Sequence, residues 1–210
     1  LAGFDIQDPE YIHIIAQLSW GINPWFAIFL AIAVSALVGA VVGALSFRYG
    51  LKGSYFALVT LAFAEVARIL ALSVDITGGG VGLMLPLKPS VANMQFESRV
   101  GYYYMMVVMV VVALLLTQWL KGARFGAYLQ AIRDNEDAAR AAGVDPFQVK
   151  LRAIALSGAM MGATGAFYVQ VFQYIDPAIA FGPQASVEAL VAAIVGGLGT
   201  VWGPLLGAVV

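Results

Sequence analysis

Three stretches of this chain, residues 24–47, 100–120 and 153–175, each run for more than twenty positions without a charged residue. Their apolar residues come as continuous blocks, not as one stripe at helical spacing. Each block reaches the ~20 residues that a helix needs to cross a bilayer core. Hydrocarbon offers the backbone no partner, so such segments must bond internally as helices. A membrane barrel would need alternating segments of about ten residues, and the chain has none. Two weaker stretches join them. Residues 53–74 are apolar except for Glu65 and Arg68, and residues 177–210 are apolar except for Glu188 and are interrupted by Gly196-Gly197-Leu198-Gly199. The pattern predicts an all-α polytopic membrane protein, a helical bundle of about five transmembrane segments at 24–47, 53–74, 100–120, 153–175 and 185–210, the last broken at the Gly-rich motif. These form one transmembrane domain over 1–210. The chain starts at Leu1 and stops inside an apolar stretch, so it reads as a portion of a longer protein.

Composition agrees with this. Hydrophobic residues make up 61% and charged residues 11%, where a soluble domain carries roughly 25% charge. Cysteine is absent, which removes disulfides and thiolate metal sites, and the single histidine, His13, removes a His-rich cluster. No triad, metal set or acid–base pair is visible, and no basic–aromatic surface points to nucleic acid.

The placement of charge is more informative than its sum. Arg48 and Lys52 lie between the first two spans; Lys121, Arg124, Arg133, Arg140, Lys150 and Arg152 lie between the third and fourth. The positive-inside rule puts both loops in the cytoplasm. Two spans separate them, so the topology requires the same side, and the two criteria agree. Residues 1–23, with Asp5, Asp8 and Glu10 and no Lys or Arg, then face outward, as do 75–99 and the turn at Asp176. Trp20, Trp25 and Tyr102-Tyr103-Tyr104 fall near the outer boundary and Trp119 near the inner one, as aromatic belts do.

The loop at 121–152 contains a charged island, 131–152. Ala138, Ala139, Ala141 and Ala142 favour helix. Asp134, Glu136 and Asp137 suit a helix start, Gly143 suits its end, and Pro146 stops it. This predicts a short amphipathic helix within 131–145. It is either a solvated loop helix or a docking site for a soluble partner that approaches its alanine face.

Other features stay open between structural and functional roles. Thr77-Gly78-Gly79-Gly80-Val81-Gly82 lacks the Gly-Lys-Ser/Thr ending of a phosphate loop, so it is an outer loop or a gate. Glu65 and Arg68 are spaced to neutralise each other on one helical face; intramembrane charges are also functional candidates. Glu188 either caps a helix start after Ser186 or faces a polar route. The break at Gly196, Gly197 and Gly199 is close packing or a cavity-lining irregularity of the kind found near substrate in transporters. Gly39/Gly43, Gly158/Gly162/Ala166 and Gly199/Gly203/Gly207 recur every four residues as small-residue packing stripes.

The string Ala131-Ile132-Arg133-Asp134-Asn135-Glu136-Asp137-Ala138-Ala139-Arg140-Ala141-Ala142-Gly143-Val144 resembles the EAA loop of ABC-importer permeases, with Asp137 where that name expects Glu. More closely, it resembles the branched-chain amino acid permease family and its LivM-type subunit. The segment from Tyr55 to Glu65, the loop Thr77-Gly78-Gly79 with Gly82 and Pro86, and Gly196-Gly197-Leu198-Gly199-Thr200 with Trp202-Gly203-Pro204 and Gly207 are similar to other parts of that subunit. Together these motifs cover residue 48 to the end.

The resemblance implies a permease subunit of an ATP-driven importer of leucine, isoleucine and valine in the bacterial cytoplasmic membrane. Two cytoplasmic ATPase subunits would bind Mg-ATP, a second and different permease subunit would complete the pore, and an external binding protein would deliver the amino acid. The chain itself would be no enzyme and would hold no cofactor. Glu136, Asp137, Ala138, Ala139 and Gly143 would form the coupling helix. Thr60, Glu65, Thr77, Gly78, Gly79, Glu188, Gly196, Gly197 and Gly199 are the expected pathway or gate residues. Urea and short-amide importers have similar permeases. On residues alone the competing reading is an ion-coupled secondary transporter that relays through Glu65, Arg68 or Glu188.

Overall fold

The uncharged stretch that begins at Pro24 forms helix α1 (Pro24–Arg48), and Arg48 lies in its last turn. A short turn with Gly50 and Gly53 at positive φ leads to α2 (Ser54–Ser73). Such angles cost glycine nothing and other residues much. The structure, a computed structural model, describes residues 24–51, 53–74, 82–84, 95–96, 98–197 and 199–209. After strand β1 (Leu83–Met84) the chain forms α3 (Arg99–Gly122), α4 (Arg124–Asp134), α5 (Glu136–Ala141) and α6 (Pro146–Phe172). Strand β2 (Tyr174–Ile175), α7 (Pro177–Phe181), α8 (Pro183–Gly196) and α9 (Gly203–Val209) follow. β1 and β2 pair antiparallel, with Leu83 opposite Ile175 and Met84 opposite Tyr174.

Among the described residues, five helical segments are long and apolar enough to cross a membrane: 25–48, 54–73, 99–122, 146–172 and 177–196. The molecule is an all-helical multi-pass membrane protein. The fourth span is longer than the uncharged block because Pro146 does not stop a helix but starts one. Asp145 Oδ1 caps α6 by accepting from the amides of Phe147 and Gln148 at 3.0 and 3.4 Å, and proline fits the first turn that follows. The fifth differs more. The sequence pattern places it at 185–210, whereas the continuous apolar helical stretch is 177–196, bent at Gly182-Pro183, and α9 turns back beside α8.

Two glycine stripes read from the sequence meet face to face. α1 and α6 run antiparallel along most of their lengths. A Cβ on Gly158 would lie 2.7 Å from the carbonyl oxygen of Ser35, one on Gly162 would lie 2.6 Å from that of Ala31, and one on Gly39 would lie 3.2 Å from that of Ile154. Real Cβ atoms essentially never come within 3.0 Å of backbone, so glycine at 158 and 162 is what permits the contact, and 3.2 Å at Gly39 is already tight. α8 and α9 repeat the device inside a hairpin: Gly196 faces Gly203 and Gly207 faces Ala192, with no room for a Cβ at Gly196, Gly203 or Gly207.

Most large apolar side chains on the spans are exposed, as expected where lipid is the solvent. The small cluster of buried side chains that excludes water is at the end carrying the basic residues. There Ile132, Ala139 and Val149 are buried, with Phe125, Leu129 and Val144 against them.

Candidate functional site

The basic end of the bundle assembles what the sequence separates. α4 leaves α3 through an extended Ala123 and ends at Asp134. The expected single helix over 131–145 is two helices, because Asn135 interrupts it. With φ −157° and ψ 110° this residue is extended, and its Oδ1 accepts from the amides of Asp137 and Ala138, both at 3.0 Å. An asparagine that caps a new helix cannot also continue the old one. α5 closes when Gly143, at φ +86°, passes its amide to Arg140 O at 3.0 Å and Val144 N reaches Ala139 O at 3.0 Å, the left-handed stop that glycine supplies most cheaply.

The five residues expected to couple to a partner fall on different sides of α5. Asp137, Ala138 and Gly143 are exposed, as are Ala141 and Ala142. Glu136 is half-buried. Ala139 is 5% exposed and sits in the Ile132–Val149 cluster. An alanine face open to a partner therefore excludes Ala139, whose methyl holds α5 down on α4 and α6. The exposed ridge is Asp137, Ala138, Ala141 and Ala142.

The Gly-rich break also lies at this end. Gly197 at φ +104° and Gly199 at φ +88° reverse the chain. Lys121 Nζ donates to Gly199 O at 3.4 Å, and the guanidinium of Arg133 is 3.9 Å from where a Gly199 Cβ would be. The break is thus level with the α3–α4 corner, at the membrane edge of the bundle. A cavity of about 490 Å³ opens beside it, floored by Leu120, Phe125, Leu156 and Met160 and rimmed by Lys121 and Arg133.

The remaining residues expected on a pathway are not gathered there. Thr60 Oγ1 donates back to Ala57 O at 2.9 Å within α2. Glu65, one turn and a half further on, accepts from Arg68 Nε at 3.0 Å in a two-pronged ion pair. Glu188 does not cap a helix: α8 already starts at Pro183, and Glu188 Oε1 accepts from Gln184 Nε2 at 3.1 Å. Thr77, Gly78 and Gly79 lie outside the described residues, as do residues 1–23. Among the described residues, no three His, Cys, Asp or Glu side chains gather as a metal site. At the opposite end burial, then the charge of Asp176 and their hydrogen bond, hold the Tyr174 phenol above its usual pKa.

Reading by periodicity misses one feature here. Glu136 and Lys150 are fourteen positions apart on different helices, yet Lys150 Nζ is 2.8 Å from Glu136 Oε2. The break at Asn135 and the reversal at Gly143 make the pair, and a sequence that suggests one continuous helix hides it.

Residues 10–210 match the family described as branched-chain amino acid transport system / permease component. The high-affinity branched-chain amino acid transport system permease protein LivM of Salmonella typhimurium is 30% identical over 90% of this chain and 50% of its own length. LivM of Escherichia coli K12 is 28% identical over the same shares. The fructose import permease FruF of Bifidobacterium longum is 25% identical over 86% of this chain and 49% of its own length. The chain therefore spans about half the length of the curated relatives it matches. No solved structure matches.

Proposed function

Because this chain belongs to the family of permease components of branched-chain amino acid transport systems, we propose that it is the membrane subunit of an ATP-driven importer of leucine, isoleucine and valine, driven from the cytoplasm through α5. The positive-inside rule places the basic end in the cytoplasm. The observation that carries the reading is the build of α5. It has six residues, is capped by the Asn135 side chain at its start and by backbone hydrogen bonds at its end, is held to the bundle by buried Ala139, and presents Asp137, Ala138, Ala141 and Ala142 outward. Isolated helices this short are unstable in water. Ordering one to display a ridge of small side chains suits a surface onto which another protein docks.

The proposed partners are two cytoplasmic ATPases that bind Mg-ATP, a second and different permease, and an external binding protein; membership of a transport-system permease family supports an ATPase and a binding protein. The chain needs no cofactor or catalytic residue of its own. ATP binding in the partner must favour one of two permease states. The reversal at Gly196, Gly197 and Gly199 would form the inner gate, beside the docking helix. Thr60 and Glu65 would lie along the route within α2, and Thr77, Gly78, Gly79 and Glu188 on or near its outer part. LivM proteins support a branched-chain amino acid as cargo; FruF is named for fructose, so uptake competition between leucine, fructose and a short amide decides among cargo classes.

An ion-coupled carrier is the competing reading. A proton or ion relay needs side chains that exchange partners along a route, but Glu65 is held by Arg68 and Glu188 by Gln184, each within one helix. Residues 1–210 contain no cysteine, so Ala138→Cys, placed in a full-length protein from which any cysteine outside them has been replaced, gives a single reactive thiol on the exposed ridge. The expected outcome is a cross-link to a co-expressed ATPase subunit whose yield changes with ATP. A folded, transporting protein without that cross-link would sink the docking role and favour the carrier.

A further inference from the structure

At its basic end the α1–α6 seam finishes in a group that docking alone does not require. Lys150, in the second turn of α6, reaches Glu136 at 2.8 Å, and the two side chains are only 26% and 19% exposed. The same ammonium stands over the ring of Phe47, 5.9 Å from its centroid, at the end of α1. Phe47 in turn stacks on Phe56 of α2, centroids 5.2 Å apart and planes 11° from parallel. One cation thus ties the start of α5 to α6 and α1, and through the stacked rings to α2. The neighbouring pair Asp137–Arg140 spans 3.4 Å with side chains 87% and 62% exposed, and a pair so solvated holds little. The Glu136–Lys150 contact is charge-assisted and shielded, and its lysine stem lies along an aromatic face.

The need for such a tie is visible in the backbone. α5 is joined to its neighbours through the extended Asn135 on one side and left-handed Gly143 on the other. Two non-helical joints around six residues would let the helix rock under load. We propose that Glu136, Lys150 and Phe47 form a clamp that makes α5 a rigid extension of the α1–α6 pair, so that a displacement of α5 is delivered to that seam and not absorbed in the loop. They are positioning residues: Glu136 and Lys150 set the angle of α5, and Phe47 sets the position of Lys150. The inference rests on the reading of α5 as the docking helix and specifies how that helix acts.

The test uses the full-length protein with its partner subunits in proteoliposomes, recording amino acid taken up per ATP hydrolysed. Lys150→Met and Glu136→Gln are expected to keep the ATPase bound and active but lower uptake per ATP about fivefold, within the range that changes along coupling networks produce. Lys150→Arg, which keeps both the contact to Glu136 and a cation over Phe47, is expected to retain at least half of the wild-type ratio, and Phe47→Leu to give a smaller loss than Lys150→Met. Unfolding midpoints of all variants identify any that merely fail to fold, and Lys150→Arg then carries the decision. Unchanged uptake per ATP in Lys150→Met and Glu136→Gln would overturn the clamp while leaving docking intact, as would a loss in Lys150→Arg equal to that in Lys150→Met with a normal midpoint. A wild-type protein that does not bind the ATPase would overturn the docking reading and the clamp with it.

Discussion

α1 and α3 are both charge-free through their interiors and both long enough to span a bilayer, yet they are used differently. α1 lies against α6 with backbone nearly touching backbone at Ser35–Gly158 and Ala31–Gly162. α3 has no buried residue: Val108, Val112 and Trp119 are 56%, 57% and 70% exposed. A groove of about 560 Å³, lined by Met106, Val110, Leu114, Trp202 and Leu205 among others, opens between α3 and the α9 side. The difference is in small residues. α1 carries Gly39, Gly43 and Ser35 along one face, while α3 between Tyr102 and Lys121 is largely Val, Leu and Met and holds no glycine. Apolarity places a helix in lipid, but it cannot choose a neighbour there, because lipid tails are as apolar as leucine. Close approach of backbones chooses the neighbour.

Five substitutions press on this contrast, from the largest expected effect to the smallest. Gly158→Leu forces a side chain into the Ser35 carbonyl and should cost about 3 kcal/mol, read as a lower unfolding midpoint of the full-length protein in detergent; a change under 1 kcal/mol would mean the seam is soft. Gly196→Ala drives a methyl into the Gly203 carbonyl. The seven-residue α9 can swing away more readily than a full span, so about 2 kcal/mol is expected, with new protease cleavage at 199–203 as a second readout. Asn135→Ala removes the cap of α5 and should cost about 1 kcal/mol, seen as faster amide exchange at Asp137 and Ala138. Val108→Ala and Val112→Ala on α3 should each stay within about 0.5 kcal/mol. A loss above 1 kcal/mol there would show that α3 is gripped by another subunit, and the contrast with α1 would disappear.

The sequence revealed the spans and the stripes because both are local: a run of uncharged residues, and glycine every fourth position. It did not reveal which stripes face each other. Gly39 and Gly158 meet only because the chain returns after more than a hundred residues. At the candidate site the failures share a cause. Alanine-rich composition suggested one helix over 131–145, but the Asn135 side chain competes for the backbone amides and splits it. Pro146 ends a helix when viewed from one side and starts one when viewed from the other, and only the Asp145 cap decides. Ala139 looks the same as Ala138 on paper; the turn of α5 against Ile132 buries the first and exposes the second. The Gly-rich break was legible as a break, but its direction depends on contacts of Gly196 with Gly203 and of Gly207 with Ala192 that no local pattern encodes.

The α1–α6 seam also sets a schedule. Roughly 120 residues separate Gly39 from Gly158, and at about 5–20 residues per second the ribosome needs roughly 6–24 s to make them. During that interval α1 resides in the bilayer with its glycine face turned to lipid, stable as a helix but without the neighbour that fixes its rotation. The late arrival of α6 is therefore the commitment step of assembly, and a nascent chain stalled before Pro146 is inserted yet unfinished, a natural substrate for membrane quality control.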